Sequence, residues 1–588
     1  MTPPPSALLL FRELAPAGMA LSFTQPRHVV TAFHVGEVGA ALADVERLAR
    51  GGLHAVGYLA YEAGPAFDSA IAAHAPGPAP LLHFALYDAP ELIPAPQPGA
   101  TVAAPAWVCE TDEAAHAAAV HDIRDTIADG GVYQVNLTTR FRAPWTGDGL
   151  ALLLGMHARQ RGSYSAWIEL GRWAVACASP ELFVSRRGDV AVARPMKGTA
   201  SRGRWEAEDR ALADELMTSP KERAENVMIV DLLRNDLGRL AMPGTVRVPR
   251  LYELERYPSV WQLTSTIEAT LRPGTSTAGL IAALFPCGSI TGAPKIAATK
   301  LIAQLERSPR GVYCGIVGHI APNGDATFAV AIRTATIDRA TGSIEYGSGG
   351  GITWDSAARS EHAELLAKAA IATAPWPRFD LLETMRVEDG RVIRLDRHLA
   401  RMARSAARFE VEFRRDEIVT AVTAAVAGGN ASGRRTPKSV ARLRLLVAPD
   451  GTPRAELDDL PPDSGRRFRV GVAAEPVSPD DPFLYHKTTH RAAYDRRRAA
   501  RPDLDDVLLQ NTRGELTEFT IGNLVVELDG ARWTPPRESG LLPGVFREEL
   551  LESGAVAERV LGPSDLAHAS GVWLVNSLRE WVPVALER

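Results

Sequence analysis

At 588 residues, with 46% hydrophobic and 23% charged side chains, the chain is too long for one core and is composed like a soluble globular protein of about three to four domain-sized units. A formal net charge of −5 gives no electrostatic case for nucleic acid or an anionic membrane surface. The four cysteines, Cys109, Cys177, Cys287 and Cys314, are scattered and form no CxxC pair, which argues against a zinc site or a disulfide framework and fits a reducing cytoplasm. The opening stretch MTPPPSALLLFRELAP lacks a basic n-region, and no apolar run of about 18 residues reads as a membrane span.

In chain order, the first hundred residues carry strand-like runs (HAVGYLAYEAG, LLHFALYDA) and then ELIPAPQPGATVAAPAW, read as a surface connection. From about Glu110 the pattern alternates. EAAHAAAVHDIRDTIADG, ERAENVMIVDLLRNDLGRL and ARSEHAELLAKAAIATA read as helices, while VYQVNLTTRFRA and WAVACASPELFVSRR read as strands. APWPRFD places two prolines in a short connector, so a boundary falls near Ala372 to Arg378. Beyond it come a strand (LLETMRV), a helix (DRHLARMARSAARF), further strands and the segment YHKTTHRAAYDRRRAA. The expected division is residues 1–372, with 1–105 as an N-terminal part, a linker at 373–378, and 379–588 as a second unit with room for two small subdomains.

The chain holds seven lysines against 58 arginines. Where a bare positive charge suffices it has Arg, which stays protonated, whereas a Lys amine can lose its proton and attack carbon. Lys197, in ARPMKGTASRG, is therefore a candidate nucleophile; the alternative is a solvated lysine at a turn. Glu222 and Glu225 lie three apart on one predicted helix, and Glu361 and Glu364 three apart on another, so each pair shares a face. Few hard oxygen ligands with open positions suit Mg²⁺; the plain alternative is a solvated face paired with Lys221 or Lys368. SPELF puts Glu181 at a turn into a strand, a place for a general acid. CGSITGAPK and EYGSGGGITWDS are read as glycine-rich loops whose backbone N–H groups can hold an anion, though hairpins need glycine too. Arg333, read as a cation on the apolar strand FAVAIRTATI, calls for a carboxylate partner.

The ordered set SPELF, RPMKGTASRG, KERAENVMIVDLLRNDLGR, GSITGAPK, GIVGHI, FAVAIRT, GSGGGI and SEHAELLAKA resembles the chorismate-utilising enzyme family, which includes the large subunits of anthranilate synthase and aminodeoxychorismate synthase. The resemblance implies a two-layer α/β sandwich with a deep chorismate site. It implies Mg²⁺ held by Glu225 and Glu364 with Glu222 and Glu361 beside them, and substrate contacts from Thr199, Thr291, Gly292, Arg333, Gly349, Gly350 and Lys368. Glu181 would be the general acid. Lys in this P-x-K-G-T motif marks the aminodeoxychorismate branch, where the anthranilate branch has Ala. It implies attack of Lys197 on ring C2 with loss of the C4 hydroxyl, addition of ammonia at C4 and expulsion of the lysine, with Mg²⁺ holding the ring carboxylate. YQVNLTTRF resembles the same branch; VWQLTS departs from it, with Gln262 where many relatives have His.

The C-terminal unit holds two lysines, Lys438 and Lys487. RLDRHLARMARSA, LYHKTTHR, LTEFTIGNLVV, GLLPGVFREEL and VNSLREWVPV, in that order, resemble the fold-type IV pyridoxal-phosphate enzymes, which include branched-chain and D-amino-acid transaminases and aminodeoxychorismate lyase. The resemblance implies that Lys487 binds the cofactor aldehyde and shuttles protons, and that Glu518 pairs with the pyridine nitrogen. Arg401 and the amides of Val545 and Phe546 would hold the phosphate, with Asn576 and Ser577 nearby. Taken singly, Arg401 reads equally as a helix-surface charge and Glu518 as an edge-strand carboxylate.

The fused pair implies a bifunctional enzyme that aminates chorismate and then releases pyruvate to leave p-aminobenzoate, the folate precursor. No Cys stands in a GxCxG elbow, so ammonia is expected from a glutamine amidotransferase partner, and the C-terminal unit is expected to support a homodimer. The competing readings are an anthranilate synthase joined to a transaminase, opposed by Lys197, and an inactive regulatory fusion, opposed by the retained Lys197, Glu225, Glu364 and Lys487.

Overall fold

A computed structural model describes residues 5–97, 104–160, 162–258, 260–373, 377–431, 440–461 and 465–587. Helices and strands are mixed along its whole length. Two compact units emerge: Met1–Arg202 with Leu212–Trp376, and Gly203–Ala211 with Pro377–Arg588. Of the expected linker at 373–378, residues 374–376 lie outside the described residues, as do 98–103 of the proline-rich connection and Lys438. The elements that carry the sites are β1 (Gln134–Pro144), β2 (Met196–Ser201), α1 (Pro220–Gly238), β3 (Ser343–Ile352), α2 (Ala358–Thr373), α3 (Leu395–Phe409), β4 (Leu516–Phe519) and α4 (Val545–Glu552).

The first unit holds two ten-stranded antiparallel sheets. One runs Gly292–Ala293, β1, β3, Thr334–Asp338, Trp173–Ser179, Tyr164–Leu170, Ala7–Phe11, Met19–Phe23, Glu91–Pro94, with Val108–Cys109 also paired to β1. The other begins at β2 and Val260–Thr270 and passes through Leu182–Arg187 to His28–Ala32. The run ALLLF shows why several strands lack polar alternation. Ala7, Leu9 and Phe11 enter the large core with Tyr58, Phe84, Phe183 and Phe328 of the other sheet. Leu8 enters a second core with Leu153 and Met156 of the Gly149–Gln160 helix and Leu365 and Ala369 of α2. A strand covered on both faces reads as continuously apolar, and each fully buried Leu or Phe contributes about 1.5–3 kcal/mol.

α1 starts because Ser219 accepts the Glu222 amide at 3.3 Å and Pro220 occupies the first turn, where no N–H is needed. Its inner face carries Asn226, Ile229, Val230, Leu233 and Leu237. Replacing Ser219 with Ala would cost about 1 kcal/mol.

Three local expectations are corrected. Glu91–Pro94, expected as connection, pairs as an edge strand with Met19–Ser22. GSGGG is not a loop: Gly347 to Gly351 lie in β3, in register with Arg140 to Asn136 of β1. Close packing requires glycine there, since a Cβ on Gly349 would meet the Leu137 carbonyl at 2.2 Å and one on Gly347 the Tyr313 ring at 2.1 Å. Arg333 is not within a strand. It stands between Ala326–Val330 and Thr334–Asp338 with a left-handed φ of 53°, which turns the chain.

The second unit has a four-stranded sheet (Arg391–Val392, Leu381–Glu388, Ala441–Val447, Pro453–Asp459) and an eight-stranded sheet. The latter runs β4, Asp506–Gln510, Phe468–Val472, Glu580–Leu586, Gly571–Asn576, Asn523–Leu528, Ala531–Thr534, Ala557–Glu558. An extra pairing of Glu518 with Asn523 joins β4 to the Asn523–Leu528 strand. α3 buries His398, Leu399, Arg401, Met402 and Ser405, the i, i+3, i+4, i+7 stripe of an amphipathic helix, here with polar members. Lys487 follows the Pro482–Leu484 turn and is anchored by its carbonyl, which accepts the Leu382 amide at 2.9 Å.

Candidate active sites

The first unit encloses a cavity of about 150 Å³. β2 and β3 present Lys197, Gly198, Thr199 and Gly349 to Gly351 to it, and α1 and α2 add Glu222, Glu225, Glu361, Glu364 and Lys368. Glu181, Arg333 and Gln262 complete the predicted set on its wall. Thr291 and Gly292 are not on that wall, which takes Ser289 and Ile290 instead. The Thr291 hydroxyl is bound to the Cys287 carbonyl at 2.9 Å, and Gly292 pairs with Val135.

Burial pushes the Lys197 ammonium toward its neutral form; Glu225 opposes this, and Lys368 reinforces it. Glu181 is 3% exposed, and burial raises its carboxyl to about 7, against the opposing influence of Ser289 and Lys197. Its Oε1 has no hydrogen-bond partner among the described residues. Glu222 is raised by burial and then by Glu225 and Glu364, so carboxylates of α1 and α2 act on one another. Glu361 is likewise raised, by burial and by Glu364. Glu364 is instead held low by Lys368, whose Nζ lies 2.7 Å from its Oε1. Lys368 also donates to the Gly349 carbonyl at 3.1 Å, and the Arg333 guanidinium donates to the Lys368 carbonyl. Among the described residues no group of three or more His, Cys, Asp and Glu side chains is gathered to hold a metal ion. A pair such as Glu225 and Glu364 fits Mg²⁺, which is usually held by one or two carboxylates while a substrate and water fill the rest.

Two polar residues at this site escaped the sequence reading. Asn226 is 1% exposed; its Nδ2 donates to the Lys197 carbonyl at 3.1 Å and its Oδ1 accepts from Ser265 Oγ at 2.5 Å. Gln134 is 1% exposed, and neither its Nε2 nor its Oε1 has a hydrogen-bond partner among the described residues. A Cβ on Gly351 would lie 2.3 Å from Gln134 Nε2 and 2.9 Å from Lys197 Nζ, so this amide stands beside the amine. The signal available was a polar residue on an otherwise buried face, at Asn226 beside Glu225 and at Gln134 in YQVNL.

The second unit holds a larger cavity, about 430 Å³, walled by Arg401, Lys487, Glu518, Val545, Asn576 and Ser577. Phe546 is not on this wall; its ring packs under the Arg394 guanidinium and against Trp581. Its amide belongs, with that of Val545, to the first turn of α4, whose N–H groups lack intrahelical partners. Burial, reinforced by Arg401, lowers the Lys487 ammonium to about 8. Glu518 is 3% exposed and raised by burial to about 7; its Oε1 accepts from Tyr494 at 2.8 Å and from the Leu542 amide at 3.0 Å. Asn523 Nδ2 donates to Glu518 Oε2 at 3.2 Å. Arg401 is gripped by Glu383 at 2.9 and 2.6 Å, and His398 bridges Glu383 to Ser577. A buried amine near neutrality, a carboxylate held at a fixed point and a cationic end with open helix amides fit pyridoxal phosphate.

Comparison with known proteins gives two family matches, in succession along the chain. Residues 380–586 match the family described as amino-transferase class IV. An aminodeoxychorismate synthase component 1 from Klebsiella aerogenes is 40% identical over 264 residues, which is 45% of this chain and 58% of that protein. An anthranilate synthase component 1 from Streptomyces coelicolor is also 40% identical, over 270 residues, 46% of this chain and 52% of the relative. The chain thus spans little more than half the length of these relatives. The crystal structure of anthranilate synthase component I from Streptococcus pneumoniae TIGR4 shares the fold at a TM-score of 0.54 and 24% identity, over 61% of this chain and 93% of that one. Residues 22–374 match the family described as chorismate binding enzyme, and the chain therefore belongs to the chorismate-binding enzymes.

Proposed function

We propose that the first unit aminates chorismate to 4-amino-4-deoxychorismate and that the second removes pyruvate from that product, leaving p-aminobenzoate for folate synthesis in the cytoplasm. The observation that carries this reading is Lys197: a buried amine, biased toward its neutral form, facing the same cavity as Glu181, whose carboxyl burial raises to about 7. The relatives at 40% identity include both chorismate-aminating activities by name, so the lysine decides between them.

In the first reaction Lys197 Nζ bonds to ring C2. Glu181 gives its proton to the C4 hydroxyl, which leaves as water while the ring double bonds shift. Ammonia, supplied by a glutamine amidotransferase partner, then bonds to C4. The double bonds shift back, the C2–N bond breaks, and a proton shed by the incoming nitrogen restores Glu181. Arg333 and the Gly349 and Gly350 backbone would orient a substrate carboxylate, and Thr199 and Lys368 would add contacts. Glu225 and Glu364, with Glu222 and Glu361 beside them, would hold Mg²⁺, whose charge would offset that of the ring carboxylate.

In the second reaction pyridoxal phosphate supplies an electron sink for charge developing at the amine-bearing carbon. Lys487 takes the proton from that carbon and returns it to the departing enolpyruvate, and the ring becomes aromatic. Glu518 would face the cofactor's ring nitrogen, held there by Tyr494, Asn523 and the Leu542 amide. The first amides of α4, at Val545 and Phe546, with Arg401, Asn576 and Ser577, would hold the phosphate. Dimerisation through the second unit belongs to the same reading.

The test is to incubate the protein with chorismate, ammonium, Mg²⁺ and pyridoxal phosphate and to separate the aromatic products. p-Aminobenzoate with an equal amount of pyruvate is expected. Anthranilate would overturn the assignment of Lys197, and no aromatic product with ammonium in excess would overturn the whole reading.

A further inference from the structure

The second unit includes nine residues, Gly203–Ala211, that lie in sequence just after the strand bearing Lys197, far from Pro377. Their contacts converge on the two residues before Lys487. The His486 ring lies between Ser405 Oγ, 3.0 Å from Nδ1, and the Arg204 carbonyl, 2.9 Å from Nε2. A carbonyl only accepts, so Nε2 carries the proton and Nδ1 accepts from Ser405. Burial, with Arg408 nearby, holds the ring neutral, with its pKa lowered to about 3. The tautomer and orientation of His486 are thus set by the backbone of residue 204.

That backbone is itself tied down. The Gly203 carbonyl accepts from Arg408 Nε at 2.8 Å, and the Gly203 amide donates to Asp209 at 2.7 Å. The Arg204 guanidinium is clamped by Glu208 at 2.6 Å and reaches the Tyr485 hydroxyl at 3.2 Å and the Pro479 carbonyl at 3.3 Å. The Trp205 ring packs 5.1 Å from that of Tyr485, against a core that also contains Tyr494, the residue that holds Glu518. One segment therefore packs against the two residues before the lysine and against the core that contains the carboxylate's partner.

We infer that Gly203–Ala211 is a positioning element of the pyridoxal-phosphate site, in which the Arg204 carbonyl and the Trp205 ring fix the His486–Lys487 segment and the Tyr494–Glu518 pair. This rests on the reading of Lys487 as the cofactor lysine.

The test uses the full-length chain as wild type, Trp205→Ala and Trp205→Phe. Three readouts are needed: pyridoxal phosphate affinity by absorbance, the absorbance band of the bound cofactor, and amide hydrogen exchange of Tyr485 to Thr488 without cofactor. Trp205→Ala is expected to weaken cofactor affinity severalfold, shift the band and speed exchange in that segment, and Trp205→Phe is expected to restore all three. Unchanged affinity, band and exchange in Trp205→Ala would overturn the inference, and so would Trp205→Phe failing as badly as Trp205→Ala. Borohydride reduction of the wild type followed by peptide mass analysis separates the two claims. No label on Lys487 would sink the cofactor reading and this inference with it, whereas a labelled Lys487 with unaffected variants would sink the positioning role alone.

Discussion

Lys197 and Lys487 are both buried amines pushed toward neutrality, but carboxylates predominate around the first, whereas the guanidiniums of Arg401 and Arg491 balance the carboxylates around the second. Around Lys197 the carboxylates Glu225, Glu181 and Glu364 pull against burial, and the Lys368 ammonium reinforces it. Around Lys487 the guanidinium of Arg401 reinforces burial, and Glu383 and Glu518 oppose it. On the proposed reading, the amine that attacks carbon sits among the carboxylates that would hold Mg²⁺. On the same reading, the amine that captures the cofactor aldehyde has Arg401 beside it, a cation that would also hold the phosphate. In each cavity the charges that tune the lysine are the charges that suit its ligand.

The largest expected effect falls on Lys197, the proposed nucleophile. Lys197→Ala should slow amination by on the order of a thousandfold, about 4 kcal/mol of transition-state stabilisation, with chorismate affinity little changed. An unchanged turnover number would remove the contrast, because only one lysine would then be chemical. Next comes Glu181→Gln, expected to cost about a hundredfold in amination. The sign of its pH dependence follows from a carboxyl raised to about 7: the acid form is present below that pH and is lost as pH rises through it. The wild-type amination rate should therefore fall above about pH 7, and Glu181→Gln should lose that limb while retaining the rise caused by Lys197 losing its proton. Glu225→Gln and Glu364→Gln should each raise the Mg²⁺ concentration for half-maximal amination by about tenfold, and leave pyruvate release from supplied 4-amino-4-deoxychorismate unaffected. For Lys487 the corresponding titration is of cofactor capture, whose rate should rise with pH through about 8 as the ammonium is lost. The smallest effect is on packing: Asn226→Ala leaves the Lys197 carbonyl and Ser265 without their partner and should cost about 1–3 kcal/mol in thermal or denaturant unfolding.

The two lysines were legible because the chain uses Arg elsewhere, so a retained Lys between Met196 and Gly198 or after His486 stands out. The paired glutamates were legible because a spacing of three fixes a shared helix face, and α1 and α2 do present those faces to one cavity. Glycine misled: four glycines in five residues signal a turn by propensity, but in β3 they admit Tyr313, Leu137, Lys197 and Gln134 against a strand. That requirement comes from residues 34 to 217 positions away in the chain, which no local pattern records. Gln134 and Asn226 were passed over because a lone amide in an apolar run carries no charge pattern, and its value depends on which backbone group it meets. Gly203–Ala211 carries no boundary signal at all, since its place in the second unit rests on partners near residues 408 and 479 to 486.

The most direct measurement separates the two halves in one chain: Lys487→Ala, given chorismate, ammonium and Mg²⁺, with products followed by mass. The account predicts that chorismate is consumed at the wild-type rate and that 4-amino-4-deoxychorismate accumulates without pyruvate or p-aminobenzoate. Anthranilate in its place, or continued release of p-aminobenzoate, would contradict it.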